Sequence, residues 1–297
     1  MAQTVLLAGA TGMLGSRIAH HLLKQPDARV RLLVRDAGKS KAVLNPSSLD
    51  GAEIIVGDLA DPASLDRATQ GVDMILSAVQ GGPDVIVDGQ VALATAGRRN
   101  GVRRFLPSDY ALDLFKATPG EHAAFDARRE ADKRIAALGL EQVNVLQGAF
   151  MDVFLPGRGA IDLDKGTIGF FGDGERPIEV TSVEDTARMI ARVALDRGVP
   201  AGKFAFAGDH VSFRQAGEIV GRRLGRTLTP VSYGSVDDLR AAHAAADPQK
   251  KLMLAYLLYM TTGQTALGDL QSERYPDLKL ESFAEFAAHA IPVPAHA

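Results

Sequence analysis

Residues 4–24, TVLLAGATGMLGSRIAHHLLK, constrain the fold more than any other part of the chain. Thr4, Val5, Leu6, Leu7 and Ala8 form an unbroken apolar run, which fits a parallel strand covered on both faces. Leu14, Ile18 and Leu22 then recur at i, i+4 and i+8, a helical stripe that packs back on a sheet. Between strand and helix, Gly9, Gly12 and Gly15 give a GxxGxxG spacing. Gly9 permits a tight turn, Gly12 lets backbone N–H groups approach a pyrophosphate, and Gly15 allows the helix to lie close to the strand. The helix N-terminus adds unpaired donors and a partial positive charge. The whole reads as a dinucleotide-binding turn, with Gly9, Thr11, Gly12, Met13, Leu14 and Gly15 as expected cofactor contacts. A glycine-rich strand-to-helix turn without a ligand is the plainer alternative.

The rest of the first half alternates strands and helices with short connections, the pattern of a Rossmann-type, doubly wound α/β sheet. Strands are expected at Val30–Val34, Glu53–Val56, Asp73–Ser77, Arg103–Leu106 and Val143–Gln147, and Asp61-Pro62 reads as a helix cap followed by proline at the first helical position. The second strand ends in Arg35, with Lys39 and Lys41 shortly after. Cations there suit the 2′-phosphate of NADP, whereas Asp36, one residue on, would suit the ribose hydroxyl of NAD. Arg35 and Lys39 point to NADP; a solvated charge cluster is the competing reading. Asp58 and Leu59 follow the third strand, Ala78, Val79 and Gln80 the fourth, and Ser108, Asp109 and Tyr110 the fifth. All fall at the carboxyl edge where open α/β sheets bind ligands, with Asp58 expected on the adenine side and Ala78 to Gln80 on the nicotinamide side. Gly148 and Phe150, after the sixth strand, are expected beside the nicotinamide. Gly81-Gly82-Pro83 reads as a loop and helix start.

A helix expected over Glu121–Leu138 carries an inward stripe of Ala124, Arg128, Ala131, Ile135 and Leu138. Arg128 interrupts it, and a bare buried guanidinium costs several kcal/mol. It must therefore pair, snorkel or face a cleft; Asp109 is the carboxylate expected to hold it. Lys133, farther around the helix, reads as solvated.

Composition removes other chemistries. The chain has 297 residues, a formal net charge of -3 and no cysteine, which excludes disulfides, thiolate nucleophiles and Cys-bound metals. No histidine spacing suggests a metal site, and the interspersed charges leave no footprint for nucleic acid or anionic membrane. The longest late apolar run, Leu252–Met260, falls short of the roughly 20 residues that span a bilayer, and with only five apolar residues before the glycine loop a signal peptide is not expected. A cytoplasmic protein, monomer or homodimer, is expected.

The GATGMLG loop, Arg35, RFLPSDY at 104–110 and the helix ending in LGL resemble the NmrA-like, isoflavone reductase-like group of atypical short-chain dehydrogenases/reductases over about residues 3–200. The resemblance implies an NADP-binding domain over 1–155, with 177–208 rejoining it, and a smaller, mostly helical substrate-binding domain over 156–297. It also implies hydride transfer to a small aromatic, phenylpropanoid-like substrate. Two departures stand out. The family reductases carry a lysine where this chain has Arg128, and no YxxxK pair starts at Tyr110, since the fourth residue on is Leu114. An NADPH-dependent reductase is expected, with Arg128 polarising the substrate oxygen, Asp109 orienting Arg128, and Tyr110 or a water supplying the proton. A non-catalytic NADP(H) sensor is the alternative.

Beyond Met151, glycines punctuate short strands such as Thr167–Phe171, Asp173-Gly174 reads as a hairpin-type turn, and Thr181-Ser182-Val183-Glu184 as a capping box opening a helix to Leu195. Helices follow at Ser212–Leu224, Val236–Ala245, Gln249–Met260 and Phe283–Ala290. The third is apolar nearly all round, as expected of a helix buried between neighbours.

Overall fold

Strands with no polar face form a sheet that must be covered on both sides. In the computed structural model, which describes residues 2–38, 40 and 51–292, β1 (Gln3–Ala8) is such a strand, with Val5, Leu6 and Leu7 fully enclosed. It pairs in parallel with β2 (Ala28–Val34) on one side and β4 (Met74–Ser77) on the other. β3 (Glu53–Val56) extends the sheet beyond β2; β5 (Arg104–Leu106) and β6 (Glu141–Leu146) extend it beyond β4, all in parallel. With β11 (Gly202–Ala205) the seven-stranded order is β11-β6-β5-β4-β1-β2-β3. Strand order reverses at β1, so the glycine turn lies at the topological switch point.

This sheet belongs to a unit made of Met1–Tyr110, Ala124–Val145 and Thr186–Phe204. Its core is cross-linked by Leu6, Leu65, Leu93, Phe105, Ala131 and Ile135. The expected cap at Asp61 is present, its carboxylate accepting from Ala63 N at 3.0 Å. Arg104 is buried within β5 because its guanidinium donates to the carbonyls of Asp196 (2.7 Å) and Val199 (2.8 Å) and pairs with Glu141. After Gly81-Gly82-Pro83 the chain enters a π-helical turn, Asp84–Gly89, that continues as the helix Gln90–Arg99.

The second unit comprises Ala111–Ala123, Leu146–Asp185 and Ala205–Ala297. It holds four of the expected helices, Phe213–Arg223, Val236–Ala245, Pro248–Thr262 and Phe283–Ala290. It also holds two three-stranded sheets. One joins β7 (Ala149–Phe150), β10 (Ile178–Thr181) and β12 (Asp209–Val211). The other joins β8 (Ile161–Asp162), β9 (Thr167–Phe170) and β13 (Thr229–Ser232), and of these six strands only β9 was foreseen. Asp173-Gly174 is a turn, with Gly174 at φ +71°, yet it makes no hairpin, because β9 and β10 belong to different sheets. The side-chain cap is displaced by one residue from the expected Thr181. Thr181 is the buried last residue of β10, its hydroxyl donating to Gln147 O, while Ser182 Oγ accepts from Asp185 N and opens the helix Val183–Leu195. The apolar helix Pro248–Thr262 buries Leu254, Ala255, Leu258, Tyr259 and Met260 and half-buries Leu252, Tyr256 and Leu257, so that within its apolar stretch Met253 alone, 56 % exposed, faces outward. Asp247 caps its start, and Gly263, at φ +70°, ends it. No helix among the described residues is long and apolar enough to cross a membrane.

Candidate functional site

The carboxyl edge of the large sheet gathers the loops after β1, β4 and β5, and backbone contacts explain the spacing of the first. Gly9 sits at φ +84°, and a methyl group there would lie 2.4 Å from Ala78 O, so the loops after β1 and β4 are pressed together. A methyl group at Gly15 would lie 2.1 Å from Gly9 O, which fixes that glycine by helix-to-loop packing. Gly12 is different: the nearest protein atom to such a group is Gly9 O at 3.3 Å, and the position is exposed. Packing inside the protein would ask only a small shift of Gly9 O there, far less than at Gly9 or Gly15, whereas close approach of a ligand to the backbone would require a glycine. Gly12 caps the helix Met13–Leu23 without any side-chain bond, and no acidic residue occupies the first turn. The free N–H groups and the dipole remain available to an anion. Thr11 and Met13 are exposed beside them and Leu14 is half-buried.

At the end of β2, Arg35 is exposed, while the Asp36 carboxylate accepts from Gly38 N at 2.8 Å and so closes a turn. Lys39 and Lys41 lie outside the described residues. Asp58 is exposed and accepts from Ala60 N at 2.9 Å; Leu59 packs toward Gly89. Ala78 and Val79 are half-buried and Gln80 is exposed. Gly148, at φ +78°, and Phe150 belong to the second unit, where a methyl group on Gly148 would lie 2.2 Å from Glu179 O.

Ser108 is the junction of the site. Its N–H donates to Gln90 Oε1 (3.0 Å), its hydroxyl to Val79 O (2.7 Å), and its carbonyl accepts from Arg128 Nε (2.9 Å). Arg128, half-buried on the helix Ala123–Ala136, donates from Nη1 to Ala124 O at 3.1 Å, which leaves Nη2 without a partner among the described residues. The expected tie between Arg128 and Asp109 is thus replaced by two backbone carbonyls. Tyr110 donates its hydroxyl to Ser77 O at 2.9 Å, and burial, followed by the charge of Asp109, raises its phenol well above the ordinary value. A phenol so held is a poor proton donor, which argues against the expected role of Tyr110.

Asp109 is fully buried and accepts from Asn144 Nδ2 at 2.7 Å; Asn144 in turn accepts from Gln142 Nε2. Facing Asp109 is Asp132, also buried, from the helix that carries Arg128. Burial, above all, pushes Asp109 up to about 6. Burial and the neighbouring Asp109 push Asp132 up to about 9. Asp132, Asn144 and Gln90 were not foreseen. The signal for Asp132 was present: Phe125, Arg128, Asp132 and Ile135 repeat at 3, 4, 3, and Phe125, Asp132 and Ile135 are buried, whereas Ala124 is only half-buried. Ala131, Ile135 and Leu138 of the expected stripe do pack in the core of the sheet. Lys133 is exposed, as expected.

The sequence pattern of the NmrA-like family matches residues 1–259, in agreement with the resemblance carried by the motifs. Phenylcoumaran benzylic ether reductase POP1 of Populus trichocarpa is 26% identical over 308 residues, covering 96% of this chain and 98% of its own. Two solved structures share the fold. AtPrR2 with NADP+ and (+)pinoresinol has a TM-score of 0.84 at 22% identity and covers 97% of this chain and 98% of its own. Isoflavone reductase has a TM-score of 0.85 at 20% identity, with 98% and 100% covered.

Proposed function

The chain belongs to the NmrA-like family, and from that premise we propose that it is an NADPH-dependent reductase of a small aromatic carbonyl, quinone or phenylpropanoid/lignan-like substrate. The observation that carries the reading is Arg128, a guanidinium fixed by Ser108 O and Ala124 O with Nη2 unsatisfied, on a helix tied to the carboxyl edge of a dinucleotide-type sheet. The similarity to a phenylcoumaran benzylic ether reductase along nearly the whole chain supports an enzyme over a sensor.

The residues fit the cofactor: the open Gly12, the uncapped helix start and the absence of an acid in its first turn make a cradle for a pyrophosphate. Gly9, Thr11, Gly12, Met13, Leu14 and Gly15 would hold it, and Arg35 would meet the 2′-phosphate, Asp36 being engaged in its own turn. Asp58, Leu59, Ala78, Val79, Gln80 and Ser108 would line the remainder. When bound, the dinucleotide supplies hydride. Arg128 keeps its charge at any working pH and polarises the substrate oxygen from Nη2. It cannot release a proton, and Tyr110 is held by Ser77 O, so the proton comes from water. The second unit is assigned to substrate recognition.

The test is loss of NADPH absorbance with a panel of aromatic ketones, quinones, (+)-pinoresinol and phenylcoumarans. Arg128→Ala should lower turnover by about 100-fold, the usual cost of losing one oxyanion donor, with NADPH affinity nearly unchanged. Unchanged turnover would remove Arg128 from the mechanism. Binding of both NADPH and NADP+ without oxidation by any compound would make the protein a sensor.

A further inference from the structure

Two buried carboxyl groups face each other with too few donors to satisfy them. Of the four oxygens of Asp109 and Asp132, only Asp109 Oδ2 has a protein donor, Asn144 Nδ2 at 2.7 Å. Asp109 Oδ1 and both oxygens of Asp132 are enclosed and receive no N–H or O–H from any described group. The nearby cation does not resolve this, because Arg128 directs Nε and Nη1 to the carbonyls of Ser108 and Ala124. Two ionised carboxylates cannot persist there, since burial penalises each charge and each charge penalises the other. One proton between them removes the conflict: a protonated Asp132 becomes a donor, and Asp109 Oδ1 is the acceptor that lacks one.

We propose that Asp132 and Asp109 share one proton, and that this acid–carboxylate pair ties the helix Ala123–Ala136 to the Ser108-Asp109-Tyr110 segment, holding Arg128 in place. Asp132 is then a positioning residue. The shared proton would add a second bond, Asp132 to Asp109, to the one from Arg128 Nε to Ser108 O, the two lying four residues apart on the helix and adjacent in the segment. With the proton in place the cluster is neutral, one carboxylate balancing one guanidinium. Without it, two carboxylates repel across the joint and the Arg128 bond loosens. The charged and titratable groups facing the pair are Arg128 from the same helix and Tyr110 from the segment; β6 contributes the uncharged Asn144 and Gln142. Arg128 stays charged and Tyr110 stays neutral over the working range, so the shared proton is the variable. Raised values for both carboxyls agree with this geometry.

The effect on turnover rests on the reductase reading above; the shared proton and the Arg128 bond do not. Difference infrared spectroscopy of the whole protein at neutral pH should show the carbonyl stretch of a buried protonated carboxylic acid, lost in Asp132→Asn. In nitrogen-15 spectra, the Arg128 Nε–H, assigned by its loss in Arg128→Lys, should exchange slowly with water and speed up as the pair deprotonates. In Asp132→Asn, whose amide donates permanently, it should stay protected at alkaline pH. With NADPH and 1,4-benzoquinone or (+)-pinoresinol, wild-type kcat should fall on the alkaline side and Asp132→Asn should not. Asp132→Ala should lose about tenfold to a hundredfold in kcat, with KM for NADPH within about twofold. An absent acid band, or an Arg128 exchange rate indifferent to Asp132→Asn, overturns the proposal even in an active enzyme. Should no compound be reduced, the reductase reading fails, and the infrared and exchange results still decide the pair.

Discussion

The shared proton also predicts how stability depends on pH, through a difference between two proteins rather than an absolute value. Asp132 is pushed up to about 9 in the folded chain and titrates at its ordinary 3.8 when unfolded. A carboxyl raised by folding contributes stability that is full below the unfolded value and lost as pH rises through the folded one. Above about 6, where Asp109 is ionised, the folded chain therefore carries one proton that the unfolded chain has released. One proton of difference makes stability fall by about 1.4 kcal/mol per pH unit, or about 3 kcal/mol over two units. Asp132→Asn has no such proton to hold. Every other titrating group is common to both proteins, so the variant should gain on the wild type by about that slope between pH 6.5 and 8.5. Urea unfolding followed by circular dichroism at three pH values measures it; the chain has no tryptophan. A gap between the two proteins that stays constant with pH would refute the shared proton, whatever its size.

Other perturbations separate packing from binding. Gly12→Ala brings a methyl group to 3.3 Å from Gly9 O at the helix cap and should cost no more than about 1 kcal/mol of stability, yet weaken NADPH binding at least tenfold by calorimetry; wild-type affinity would mean no ligand approaches there. Gly15→Ala drives a methyl group against Gly9 O and should cost at least about 1–3 kcal/mol of stability as well as binding, read by thermal unfolding and calorimetry together. Arg35→Ala should reduce the preference for NADPH over NADH by at least about tenfold in competitive binding, while a preserved preference would move 2′-phosphate recognition elsewhere. Tyr110→Phe leaves Ser77 O without its donor and should cost about 1 kcal/mol, with kcat lowered less than tenfold; abolished turnover would restore the phenol as proton donor.

Local rules carried the reading of the sheet a long way. The apolar run of β1, the glycine spacing, the Asp61 cap and the 3.6-residue stripe of the first helix each act over a few neighbouring residues, and all are visible in the chain. The same rules misplaced features whose alternatives differ by one position. Thr181 and Ser182 are both acceptable caps, and the strand register that buried Thr181 chose between them. The stripe through Ala131, Ile135 and Leu138 does pack on the sheet core, and what it left out is that Phe125 and Asp132, beside it on the helix, are buried as well.

The candidate site divides along the same line. The GxxGxxG turn and Arg35 follow from backbone geometry and charge within one strand–turn–helix unit, so the type of cofactor is legible in the chain itself. Arg128 was identifiable as an anomaly on an apolar stripe, but its partners were not. Ser108 and Asp109 follow β5, Asn144 lies on β6 and Asp132 on the helix between them, and they become neighbours because β5 and β6 pair in parallel. Hydrogen bonds between residues so far apart leave no periodic trace, since periodicity reports which face is buried and not what a buried polar group meets. The GxxGxxG loop marks where a dinucleotide belongs; the fit of Asp132 against Asp109 came from the packing of a helix on its sheet.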